Sequence, residues 1–303
     1  MVPLLDLYLY INDKINFSHY KRALDDFEKL WGMNLHILTD NLSQTNHLAP
    51  LLTYLQSSNF MSYSFLDGTE TGIFNNLSNE LLLNLEHKKV NAIAVTINKD
   101  LIKDSNYQNF FSIPRALKLE TYLKISKSNL ADLTKIINFM LSLKIKLCIV
   151  DIEKTPANNN KLSPEEYYSC ISLLRKYNNE GKIRFSIIEC PYPQDVKTAN
   201  SQIFGGCCGG IRSCMIDQNG NILPCHYLPT FSQGNISQDN LFDIWQNSKL
   251  FNSLRNRNNT IKGSCQNCKF LLSCGGCRAE SFYKYKSLFF DDPYCFVKPT
   301  ERI

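Results

Sequence analysis

Nine of the twelve cysteines in this 303-residue chain fall between Cys207 and Cys295, and their spacing is that of a cofactor site. Two residues separate Cys265 from Cys268, five separate Cys268 from Cys274, two separate Cys274 from Cys277, and seventeen separate Cys277 from Cys295. Short loops let two or three sulfurs turn inward while a distant one closes the site, so these intervals suit one soft metal centre. Upstream, Cys208, Cys214 and Cys225 form a group of three, with Cys207 as a spare or as a substitute for Cys208. Three plus five thiolates make two four-thiolate sites if one of the downstream five crosses over. Spacing alone leaves two chemistries open, a pair of iron–sulfur clusters or a pair of zinc sites. A disulfide framework fits poorly, because the opening MVPLLDLYLYIND has no basic segment and carries Asp6 inside its apolar run, unlike a secretory leader.

Glycines flank the cysteines at 205, 206, 209, 210, 275 and 276. A backbone that passes a bulky cluster has no room for a Cβ, and its N–H groups can donate to cluster sulfurs. The ordered set C-x11-G-x4-C, from Cys208 through Gly220 to Cys225, is followed by CxxC-x5-CxxC and a last cysteine. With the stretches IDQNGNILPC, GNISQDNLFDIWQNS, CGGCRAES and DDPYC, it resembles the SPASM domain appended to radical SAM enzymes that modify peptides and proteins. The resemblance covers about 95 residues. It implies two 4Fe-4S clusters, one on Cys208, Cys214, Cys225 and Cys277, the other on Cys265, Cys268, Cys274 and Cys295. The doubled Cys207-Cys208 and a CGGC one residue tighter than the family's commoner form are departures.

The rest of the chain must position these thiols. Short apolar runs at 4–11, 35–38, 62–66, 92–97, 121–125, 146–150 and 183–188 predict strands. Between them, helical spacing places Leu24, Phe27, Leu30 and Trp31 on one face, with Ser18 as the cap. Similar faces follow in Leu48, Leu51, Leu52 and Leu55, in ELLLNLEHK, and in Leu133, Ile136, Ile137, Met140 and Leu141. Ser163, Pro164 and Glu166 predict a capping box with proline at the first helical position, and Gly181 sits past that helix's end. Alternating strand and helix predicts a parallel α/β architecture. With the resemblance, the expectation is a partial (β/α)6 radical SAM-like barrel over 1–190, then a small Cys-rich SPASM domain over 191–303.

A radical SAM enzyme carries a CxxxCxxC loop after its first strand, yet the first cysteine here is Cys148 and the equivalent stretch reads NDKINFSHYKRA. TDNLSQ replaces the family's GGE-type segment after the second strand. Cys148 in a strand and Cys170 in a helix read as ordinary core residues. The carboxyl ends of the strands, where ligands of parallel folds collect, carry Asp13, Asp40, Asp67, Asp151 and Glu189, a possible cleft for a basic peptide. Charge of +5 from dispersed residues gives no nucleic-acid footprint. No apolar run of membrane-spanning length occurs, and thiolate ligands call for a reducing, cytoplasmic setting.

The leading expectation is an iron–sulfur accessory protein that pairs with an active radical SAM enzyme in peptide or protein maturation, presenting the precursor peptide or relaying electrons, without cleaving S-adenosylmethionine itself. Two others stand beside it: a cluster-stapled peptide-binding module, and an enzyme using an auxiliary cluster to bind substrate.

Overall fold

Seven strands form where the apolar runs predict them. The structure is a computed structural model and describes residues 1–39, 45–60, 62–67, 85, 90, 92–98, 100–103, 118–154, 160–187, 206–295 and 297, with the backbone alone at 63, 65–67, 101 and 119. β1 (Asp6–Tyr10), β2 (Asn34–Thr39), β3 (Ser62–Asp67), β4 (Ala92–Thr96), β5 (Lys118–Ile125), β6 (Leu147–Ile152) and β7 (Arg184–Ile187) pair in chain order, every pair parallel. All five residues of β4 are buried, as a parallel strand covered on both faces requires.

Helices α1 (Phe17–Lys29), α2 (Leu48–Ser57), α3 (Leu133–Ser142) and α4 (Pro164–Asn179) return the chain between strands. Leu133, Ile136, Ile137 and Met140 of α3 are buried together, each contributing roughly 1.5–3 kcal/mol by leaving water. The capping box of α4 forms on Ser163 and Glu166, and Gly181 takes φ 64° beyond its end. Two local expectations change. Asn16, not Ser18, caps α1, its side chain accepting from Ser18 N at 2.9 Å. Trp31 is not on the buried face: the helix has ended, Trp31 turns to φ 63°, and it is 70% exposed. The expected helix at ELLLNLEHK lies outside the described residues except for buried Leu85. The 190/191 boundary lies outside them too.

The cysteine-rich part continues the same sheet. β8 (Ser213–Ile216) lies parallel to β1, placing Cys214 beside Leu7, and β9 (Ile222–Leu223) folds back antiparallel, so the order is β7-β6-β5-β4-β3-β2-β1-β8-β9. Asp217 makes the hairpin turn by accepting from the N–H groups of Asn219 and Asn221, both at 2.8 Å, and Gly220 takes φ 80°. Helices α5 (Leu241–Asn247), α6 (Lys249–Arg255), α7 (Arg257–Thr260) and α8 (Arg278–Tyr285) follow. Trp245 on α5, wholly buried, donates from Nε1 to the Val2 carbonyl at 3.0 Å and so ties this part to the start of the chain.

Candidate metal centre

The downstream cysteines meet at the carboxyl end of β6. Cys265, Cys268, Cys274, Cys277 and Cys295 line one cavity together with Ile152, Glu153 and Lys154, the last residue of β6 and the two residues beyond it. The chain gets there through successive tight turns: Cys268 N donates to Cys265 O at 3.2 Å, Leu271 N to Cys268 O at 2.8 Å, and Cys274 N to Phe270 O at 2.7 Å. The DDPYC stretch anchors both CxxC pairs. Asp291 Oδ1 accepts from Cys265 N at 2.8 Å, and Asp292 Oδ2 accepts from Cys277 N at 2.7 Å.

The upstream three are placed by the β8–β9 hairpin. Cys208 O accepts from the N–H groups of Ile211, Arg212 and Ser213, and Ser213 Oγ donates to Cys208 Sγ at 3.3 Å. Cys214 is buried on β8, and Cys225 follows β9. Cys225 packs with Cys277, Tyr227, Leu228, Ala279 and Leu288 in one buried group. Cys277 thus lines the cavity and also sits in the buried group that holds Cys225. Cys207 is also buried, and its N–H donates to Cys274 O at 3.2 Å.

The cysteines lining the cavity fit a thiolate-held iron–sulfur cluster. The donors are soft sulfurs, and the backbone around them is packed so closely that two of the glycines have no space for a Cβ. A Cβ on Gly206, which has φ 93°, would land on the Cys274 carbonyl, and one on Gly275, at φ 63°, would land on the Arg257 guanidinium. Gly276 N donates to Cys274 Sγ at 3.3 Å, the kind of bond that supports a ligating sulfur. Burial pushes the Cys265 thiol up to about 11, against the pull of Arg278, and raises Cys214 and Cys277 well above the usual thiol range. A soft metal centre would displace those protons on binding. Among the described residues no three His, Cys, Asp or Glu side chains gather tightly enough for a single ion; the downstream thiols ring a void instead. A 4Fe-4S cluster closed by four thiolates supplies one-electron transfer.

The other predicted residues have different fates. Cys148 and Cys170 are buried at 0% and 2% exposure, and burial raises both thiols to about 12, as core residues. Asp13 accepts from Thr45 Oγ1 at 2.9 Å and from Asn46 N at 3.0 Å, closing the loop after β1. Asp151 is buried on β6, accepting from Tyr122 Oη at 2.8 Å and Tyr227 Oη at 2.9 Å, with His226 Nε2 at 3.3 Å. Burial would raise its carboxyl, but His226, Lys154 and Tyr122 together hold it well below the usual range. Asp67 ends β3, and its side chain lies outside the described residues, as do Asp40 and Glu189. Sequence reasoning missed Tyr227 and the role of His226. They join the residue after Cys225 to the barrel strand, and no spacing signals a contact 76 residues apart.

Comparison with known proteins agrees with this geometry. Residues 207–269 match the SPASM iron–sulfur cluster-binding domain. The chain is 26% identical over 196 residues to the AdoMet-dependent heme synthase of Methanosarcina barkeri, covering 59% of this chain and 56% of that protein. It is 36% identical over 99 residues to the mycofactocin maturase MftC of Mycobacterium tuberculosis, covering 31% of this chain and 25% of the maturase. It thus spans about half of the first relative's length and a quarter of the second's. In three dimensions it is similar to SuiB of Streptococcus suis, solved with S-adenosylmethionine (TM-score 0.71, 17% identity, 98% of this chain and 78% of SuiB) and with the precursor peptide SuiA (TM-score 0.70, 16% identity, 98% and 76%). Among the described residues no helix is long and apolar enough to cross a membrane. Residues 207–269 thus match the SPASM iron–sulfur cluster-binding domain, and the chain as a whole shares the fold of SuiB.

Proposed function

We propose that this chain is an iron–sulfur accessory protein of peptide or protein maturation, pairing in the cytoplasm with an active radical SAM enzyme and not cleaving S-adenosylmethionine itself. One contrast carries the reading. Five of the eight cysteines assigned to auxiliary clusters, Cys265, Cys268, Cys274, Cys277 and Cys295, line one cavity, whereas residues 11–16, between β1 and α1, contain no cysteine and are committed to protein contacts. Asn12 N donates to Tyr20 Oη at 3.2 Å, Asn12 Nδ2 donates to Gln218 O at 2.7 Å, and Asp13 is held by Thr45 and Asn46. Cys208, Cys214, Cys225 and Cys277 would hold one cluster, and Cys265, Cys268, Cys274 and Cys295 the other. The maturase among the sequence relatives and the SuiA-bound neighbour support a peptide as the shared substrate.

Purification without oxygen, with iron, labile sulfide and zinc counted per chain, tests the cofactor. Two four-iron clusters predict about eight irons and eight sulfides. About two zincs without sulfide would overturn the electron-relay role and leave a structural binding module. The same preparation, given S-adenosylmethionine and dithionite, forms no 5′-deoxyadenosine on this reading. Turnover of S-adenosylmethionine would make the chain an enzyme in its own right.

A further inference from the structure

The centre contains buried positive charge that the cysteine assignment does not use. Arg257, the first residue of α7, is 7% exposed, and Arg278, the first residue of α8, is 1% exposed. Their described hydrogen bonds go to backbone carbonyls: Arg257 Nη2 donates to Cys207 O, and Arg278 Nη1 donates to Leu288 O at 2.9 Å and Phe290 O at 2.7 Å. Among the described residues, buried Arg278 Nη2 has no hydrogen-bond partner. Each guanidinium adjoins a CxxC glycine, since a Cβ on Gly275 would strike Arg257 and one on Gly276 would strike Arg278.

This arrangement is unfavourable as it stands. A buried cation is expensive, and the start of α8 is the end of a helix where the backbone dipole disfavours a cation; the Asp292 carboxylate near Arg278 is engaged by Cys277 N. The two guanidinium groups also repel each other. Arg257 is attracted by the sulfurs of Cys207, Cys274 and Cys208, and Arg278 lies near both Cys265 and the Asp292 carboxylate. Thiolate ligands of a bound cluster would add negative charge beside both guanidinium groups.

We propose that Arg257 and Arg278 are positioning residues that form a buried cation pair between the two thiolate sets, offsetting the negative charge of the bound clusters and raising their reduction potentials. The proposal rests on the two-cluster reading. A four-thiolate cluster gains negative charge on reduction, so a fixed cation in a dry site stabilises the reduced form more than the oxidised one. Arginine suits the role because it stays charged when buried.

Potentiometric titration followed by electron paramagnetic resonance on the full anaerobic chain tests this with R257Q, R278Q, R257K and R278K, each with its iron and sulfide counted. At wild-type iron content, each glutamine variant is expected to weaken reduction of at least one cluster about tenfold, a fall of about 59 mV for one electron. Each lysine variant is expected to stay near the wild-type potential. Unchanged potentials in both glutamine variants, or equal shifts in the lysine and glutamine variants, overturn the proposal. If glutamine variants fail to hold iron, the lysine variants decide: retained iron at wild-type potential supports charge compensation, and lost iron overturns it. A wild-type chain without iron and sulfide overturns the two-cluster reading, and this proposal with it.

Discussion

Cysteine has two fates in this molecule. In the barrel, Cys148 sits inside β6 and Cys170 inside α4, each an alternating or helical position among apolar neighbours that any small hydrophobe would fill. In the later part, Cys265, Cys268 and Cys274 stand in consecutive tight turns and line a common cavity. All five of the thiols whose shift is large are raised by burial, so acidity does not separate the two groups. What separates them is company: regular backbone isolates a thiol, and short irregular loops gather several.

That contrast breaks most directly at the ligands. Cys265→Ala should lower iron from about eight to about four per chain, because a cluster that has lost one of four thiolates is poorly held, while Cys170→Ala should keep the full content. Equal iron in the two variants would erase the distinction. Gly206→Ala comes next. It forces a Cβ onto the Cys274 carbonyl at a backbone φ of 93°, and the variant should lose several kcal/mol of stability in urea unfolding along with iron from the Cys274 site.

Glu280 sharpens the comparison through pH. It lines the cavity and pairs with Lys161, yet burial outweighs that pair and lifts its carboxyl to about 7. The folded-state value lies above the unfolded one, so this group favours folding below about pH 4.5 and loses that contribution as pH rises through 7. The wild-type chain should therefore lose up to about 3 kcal/mol between pH 4.5 and 8 that Glu280→Gln does not lose. Parallel stability curves for the two proteins would refute the assignment. The smallest effect belongs to the barrel: Ser163→Ala removes one half of the α4 capping box and should cost about 1 kcal/mol in thermal unfolding, with iron content unchanged.

Much of the fold was legible because hydrophobic period is a local property. The apolar runs located seven parallel strands, and the Ser163 box and Gly181 marked the two ends of α4. The Asn16 cap and the exposure of Trp31 were not legible, since a residue's place one turn either way depends on where the loop before the helix is pinned.

By itself, the sequence determined which thiols belong to the cysteine-rich part and that the segment between β1 and α1 holds no cysteine, because both are matters of residue type and spacing. Only the tertiary structure decided that β8 extends the barrel sheet beside β1, that Asp151 faces Tyr227, and that Arg257 and Arg278 lie buried among the thiols. Those pairings join residues many tens of positions apart, and they are chosen by which surfaces can be buried together and which charges must be compensated there. No local pattern records that choice.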